Sequence, residues 1–191
     1  MSLEFNRRSF LKYSAAAAVA VAGSSLLVGC GEDEYQKTGK IGNTLKLMGA
    51  FKLESAKLDS APTTTAADKT LTCNFSLKCT SKYGLNIVPA NFQVEVTHKD
   101  TDGTEKVTTY HAYNTNGTGK VSLSKNTNYL VKDDSLDTVL KVEDIKVADG
   151  DTIQVKFWPR PQASEGSQAY TRAFCTWKMT VDSTATGTFL K

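Results

Sequence analysis

From Leu45 onward, apolar residues recur at every second position, the period of a strand with one face in a core. Leu71, Cys73, Phe75, Leu77 and Cys79 alternate with Thr72, Asn74, Ser76 and Lys78, so one side is apolar and the other polar. Phe92, Val94 and Val96 repeat the pattern, and Asp102-Gly103 marks a turn into a hairpin partner over residues 107–113. Val121 with Leu123, and residues 139–142, give shorter strands, while residues 134–139 also admit a short helix. Ile153, Val155 and Phe157 alternate after Asp149-Gly150-Asp151 and stop at Pro159 and Pro161, which have no amide hydrogen to give a ladder. Ala173, Cys175, Trp177, Met179 and Val181 form the last strand. Seven or eight strands separated by turn signals, without a repeat at fixed period, predict an all-β, two-sheet antiparallel sandwich.

The first 30 residues follow another pattern. A basic stretch, Asn6-Arg7-Arg8-Ser9-Phe10-Leu11-Lys12, precedes an apolar run over residues 15–28, the layout of an export signal. That run is rich in Ala and shorter than the roughly 20 residues a helix needs to cross a bilayer, which predicts a removable segment. Arg7, Arg8, Phe10, Leu11 and Lys12 resemble the twin-arginine consensus, with Asn6 where Ser or Thr is usual. The resemblance implies the twin-arginine export machinery as a partner, reading the motif as an address. Leu27, Val28 and Gly29 before Cys30 resemble the lipobox of bacterial lipoproteins, which implies cleavage before Cys30 and a diacylglycerol on its thiol. Two or three acyl chains, at roughly 0.8 kcal/mol per buried methylene, give the stable membrane attachment that one chain does not.

Gly31 to Lys40 has no apolar periodicity and reads as a solvated tether of up to about 33 Å if fully extended. The organisation expected is a signal over 1–29, a lipidated cysteine and tether over 30–43, and the sandwich over 44–191. Residues 70–78, then Phe92-Gln93-Val94 with Asp102-Gly103, then Ile153 to Pro159, are similar in order to strands of the small Ig-like domains of secreted bacterial lipoproteins and immunoprotective antigens. The resemblance spans residues 45 to about 182. It implies an Ig-like sandwich and, since that family carries no catalytic residues, transfers no active site.

Charge changes the picture little. The formal net charge is +3, of which +2 lies in the first 30 residues, and no run of Lys or Arg follows. The near-neutral remainder has no electrostatic footprint for nucleic acid. Of the four cysteines, Cys73, Cys79 and Cys175 lie in the sandwich. Cys73 and Cys79 are about 20 Å apart if they share one strand, beyond a bridge's reach near 7 Å. An exported domain permits Cys175 to pair with Cys73 or with Cys79; the alternative is three reduced thiols packed as small apolar groups.

His98 and His111 fall on the two arms of the expected hairpin, but no further ligand spacing makes a metal site, and solvent-facing strand residues are the simpler reading. Asp100-Thr101-Asp102-Gly103 begins like a calcium loop and lacks the later ligands. No nucleophile motif, phosphate loop or cofactor signature is present, so neither catalysis nor a cofactor is expected. Tyr170, Arg172 and Phe174, on the face opposite Cys175 and Trp177, together with Trp158, make an aromatic patch suited to a protein or glycan partner, unless residues 159–168 fold over it. The function expected is that of a lipid-anchored, extracytoplasmic, non-catalytic binding or interaction module. An accessory or structural subunit of an exported transport or redox complex is the alternative, since twin-arginine substrates cross folded and often with partners. A small hydrolase with an unfamiliar site is a third.

Overall fold

The computed structural model describes residues 35–112, 120–159 and 173–191. Among them are twelve strands: β1 (Gln36–Gly39), β2 (Thr44–Lys46), β3 (Gly49–Leu58), β4 (Ala67–Cys79), β5 (Leu85–Ile87), β6 (Phe92–Lys99), β7 (Glu105–His111), β8 (Lys120–Leu123), β9 (Thr127–Leu130), β10 (Ser135–Val147), β11 (Thr152–Phe157) and β12 (Phe174–Thr180). A 3-10 turn, Pro89–Asn91, leads into β6. Two five-stranded sheets have the orders β1-β12-β11-β6-β7 and β2-β3-β4-β10-β8, and β5 pairs with β9 as a small third sheet.

Strand alternation builds the core directly. Leu71, Cys73, Phe75, Leu77 and Cys79 of β4 are all buried, and so are Phe92, Val94 and Val96 of β6 and Ile153, Val155 and Phe157 of β11. Rings bridge the two sheets: Phe51 meets Phe157 at 4.7 Å between centroids, Phe92 meets Phe157 at 5.0 Å, and Phe75 meets Phe92 at 5.2 Å and Trp177 at 5.3 Å. Each large apolar side chain buried this way contributes about 1.5–3 kcal/mol, and the edge-on ring pairs add to it.

The topology is Ig-like. The order β3-β4-β10-β8 reproduces the A-B-E-D sheet of an immunoglobulin sandwich, and β12-β11-β6-β7 reproduces G-F-C-C′. The B–F cystine of antibody domains has no counterpart, because β11 contains no cysteine. The hairpin turn falls where Asp102-Gly103 places it. Gly103 takes φ +86°, a conformation suited to glycine, and its amide donates to the Asp100 carbonyl at 2.9 Å.

Several expectations are corrected. Strands exceed seven or eight because β1, β2, β5 and β9 have only three or four residues each, too few for a period to show. Residues 134–139 hold no helix, since Ser135–Val147 is one long strand paired with β4. The sandwich is not wholly antiparallel: β1 runs parallel to β12, Gln36 opposite Phe174 and Gly39 opposite Trp177. That strand lies inside the expected tether. Its sequence is polar because an edge strand of backbone ladder bonds needs no apolar face, and the outer edge of β12 supplies the partners.

Replacing Phe75 with Ala removes a ring that touches both Phe92 and Trp177, and it should lower stability by about 3–5 kcal/mol, measured as the shift of the urea unfolding curve. Val107→Thr, on an exposed edge, should stay within about 0.5 kcal/mol.

Candidate binding surface

Strand register defines one pole of the sandwich. Gln36 opens β1 opposite Phe174, the first residue of β12; Cys175 pairs with Phe157 at the end of β11, and Phe157 pairs with Phe92 at the start of β6. On the facing sheet, Cys79 ends β4 opposite Gly49. The connections from β4 to β6 and from β9 to β10 therefore lie at this pole, as the B–C and D–E loops do in an Ig domain.

The expected aromatic patch is partly assembled here. Trp158 and Phe174 do meet, with ring centroids 5.4 Å apart, and the Lys156 ammonium lies 5.9 Å from the Phe174 centroid. Trp158, however, is only 5% exposed, so its ring offers little to a partner. Its backbone is held on both sides by buried Asn91: the Trp158 amide donates to the Asn91 carbonyl at 2.8 Å, and Asn91 Nδ2 donates to the Trp158 carbonyl at 2.7 Å. Tyr170 and Arg172 lie outside the described residues. Beyond Phe174, the outer face of the sheet is polar and partly shielded: Lys156 Nζ reaches Glu95 Oε1 at 2.6 Å, and Gln93 Nε2 donates to the same oxygen at 2.7 Å.

A cluster that sequence reasoning missed lies on and beside the small sheet of the same pole. Tyr83 and Tyr129 are 66% and 62% exposed, and Val131 is 41% exposed. Gly84 takes φ +68°, and a β-carbon there would fall 2.6 Å from the Tyr129 ring, so only glycine lets the two segments close. Lys82 Nζ sits 4.9 Å over the Tyr83 ring. The underside is anchored: Leu85, Ile87 and Leu130 are core residues, the Asp133 amide donates to the Cys79 carbonyl at 2.9 Å, and the Cys79 amide donates to the Asp134 carbonyl at 3.0 Å. Tyr83 and Tyr129 sit in segments whose apolar runs are too short to read as strands, and nothing in sequence spacing pairs them.

The histidines do not face each other. His98 lies opposite Lys106 and His111 opposite Gln93, towards the two ends of the β6–β7 ladder, with four rungs between them. His98 Nδ1 is 2.6 Å from Oδ1 of buried Asp151, and Nε2 is 3.5 Å from Asp100. Asp151 also bonds within its own turn. Its Oδ2 accepts the Ala148 amide at 2.7 Å, and so one carboxylate ties the β10–β11 turn to the end of β6. Among the described residues no three His, Cys, Asp or Glu side chains form a metal-binding group. Asp102 Oδ1 accepts the Thr104 amide at 2.8 Å, and that bond holds its carboxyl below the usual range.

Cys73, Cys79 and Cys175 are buried free thiols, so neither candidate pairing is present. Cys73 and Cys79 sit on β4 and Cys175 on β12, in facing sheets, and each thiol is packed in the core as a small apolar group. Burial pushes the Cys175 thiol up to about 12, with Lys37 acting in the opposite direction, and raises Cys73 further.

Both thiols are therefore protonated in the fold. Their folded pKa values exceed the ordinary 9.0, so the fold keeps protons that the unfolded chain releases, and stability should fall as pH rises above about 9. The slope is at most about 1.4 kcal/mol per pH unit for each thiol. Cys175→Ala should flatten the fall between pH 9 and 12 in urea titrations. Asp151→Ala leaves the Ala148 amide without its acceptor and should cost about 1–3 kcal/mol in the same assay.

Residues 4–24 match the model of the twin-arginine translocation (TAT) pathway signal sequence. The chain thus carries an address for export across the cytoplasmic membrane through that machinery. No helix among the described residues is long and apolar enough to cross a membrane. No curated protein matches the chain. Among solved structures it is similar to the yjhA protein from Bacillus subtilis, with 10% sequence identity, a TM-score of 0.41, and coverage of 73% of this chain and 96% of that one.

Proposed function

We propose that the protein is a lipoprotein anchored through Cys30 at the extracytoplasmic face of the membrane, where its Ig-like domain acts as a non-catalytic binding or interaction module. The observation that carries this is adjacency. Leu27-Val28-Gly29-Cys30 begins two residues beyond the matched export signal, and the first strand of the sandwich begins six residues after that cysteine. A thiol placed between a removable signal and a folded domain is where a lipid anchor does its work. The partner is a protein or glycan, met on the outer face around Phe174 and Lys156, where an aromatic ring lies beside a hydrogen-bonded polar row.

The three buried free thiols favour a second reading, an accessory subunit of an exported complex. A core completed in the reducing cytoplasm needs no cystine, and a chain that folds before export can leave with a partner already bound. Affinity capture from intact membranes separates the two, because a stoichiometric enzyme or transporter in the eluate selects the accessory role.

Intact mass measurement of protein from its own membranes should show a chain beginning at Cys30 and carrying a diacylglycerol. Cys30→Ser should abolish both the modification and the cleavage before it. An unmodified chain that starts at Met1 would remove the anchoring step.

A further inference from the structure

We infer that the pole bearing Tyr83, Tyr129 and Val131 rests on the lipid surface to which Cys30 is anchored, an orientation that depends on the anchoring reading above. Gln36 lies six residue steps after Cys30, with five residues between, a span of at most about 20 Å. The 13-residue strand β4 makes the sandwich about 43 Å long at about 3.3 Å per residue. Gln36 enters at the pole where β4 ends and β6 and β12 begin, so that pole stays beside the anchor, while the Asp102-Gly103 hairpin at the far end lies beyond the tether.

Of the five large apolar side chains exposed among the described residues, Tyr35, Tyr83, Tyr129 and Val131 lie at this pole, and only Val107 lies elsewhere. Tyrosine combines an apolar ring with a polar tip and suits the boundary between water and acyl chains. Tyr129 belongs to the small sheet and Tyr83 to the turn that leads into it, and Leu85, Ile87 and Leu130 of that sheet are in the core, so the rings are presented on an anchored base. Lys82 in the Tyr83 turn, and Lys132 with Asp133 and Asp134 after Tyr129, sum to no net charge, so contact through these ring-bearing segments rests on the rings. It should persist in high salt and without anionic lipid.

The test uses the lipidated full protein, reconstituted into phosphatidylcholine vesicles whose acyl chains are plain or brominated. Tryptophan emission is compared for Tyr129→Trp, Tyr83→Trp and Thr101→Trp, each against the unsubstituted protein. The added emission at 129 and 83 should be lost in brominated vesicles, in low and high salt alike, and that at 101 should be unchanged. Equal emission from all three variants in both lipids, with diacylglycerol confirmed on Cys30 by mass, overturns the orientation and leaves the anchor standing. A Cys30 without lipid overturns the anchor and the orientation together. Shielding of 129 from aqueous acrylamide in native membranes, without quenching by brominated lipid, identifies a protein on this pole and also overturns the inference.

Discussion

The ring layer between the sheets is the contact on which the rest of the structure depends. Phe51, Phe157, Phe92, Phe75 and Trp177 touch in sequence, each ring supplied by a different strand, so five strands from two sheets are locked by one continuous contact. The layer replaces the cystine that braces many exported sandwiches. It also holds the sheets at a separation that leaves the three thiols as packed apolar groups. The choice fits the export route, since a core made of rings forms without an oxidant.

Secondary anchors then fix the periphery. Tyr110 reaches from β7 to accept the Lys146 amide of β10 at 2.8 Å, and joins the sheets at an edge; burial raises its phenol above the ordinary range. The contact falls just past the irregularity in β10 between Val142 and Ile145, where Asp144 takes φ +55° and the ladder shifts register. Asp151 and Asn91 act in the same way at the two poles: each is a buried polar side chain whose bonds tie a connection to a core strand. Lys191 and Asp182 pair beside the Val181–Leu190 bridge and close the chain's last turn onto the end of β12.

The long strands were legible in the sequence because a buried strand advertises itself at every second residue. β4, β6, β11 and β12 all appear as alternating runs, and the Asp102-Gly103 turn as a glycine that must bend. Short strands were not legible, because Leu85–Ile87 offers two core residues and Thr127–Leu130 one. β1 was hidden for a different reason: its residues are chosen for a backbone ladder, and a polar edge strand resembles a linker. Long-range placement was hidden as well. The sequence shows two histidines on two arms, but only the register shows that His98 faces Lys106 and approaches Asp151. Likewise Trp158 reads as an exposed aromatic beside proline until Asn91 and Phe174 are seen to enclose it.

The parallel pairing of β1 with β12 has a mechanical consequence. Any force transmitted along the chain from its N-terminal side enters at Gln36 and runs along the axis of β1, whose slanted ladder bonds reach Phe174 to Trp177 of β12. Four residue pairs then share the load in shear, and none can be peeled away first as in a hairpin opened from its free end. The strand thus acts as a strain relief. A drag on the domain by whatever it holds is borne by its last strand before it reaches the aromatic core.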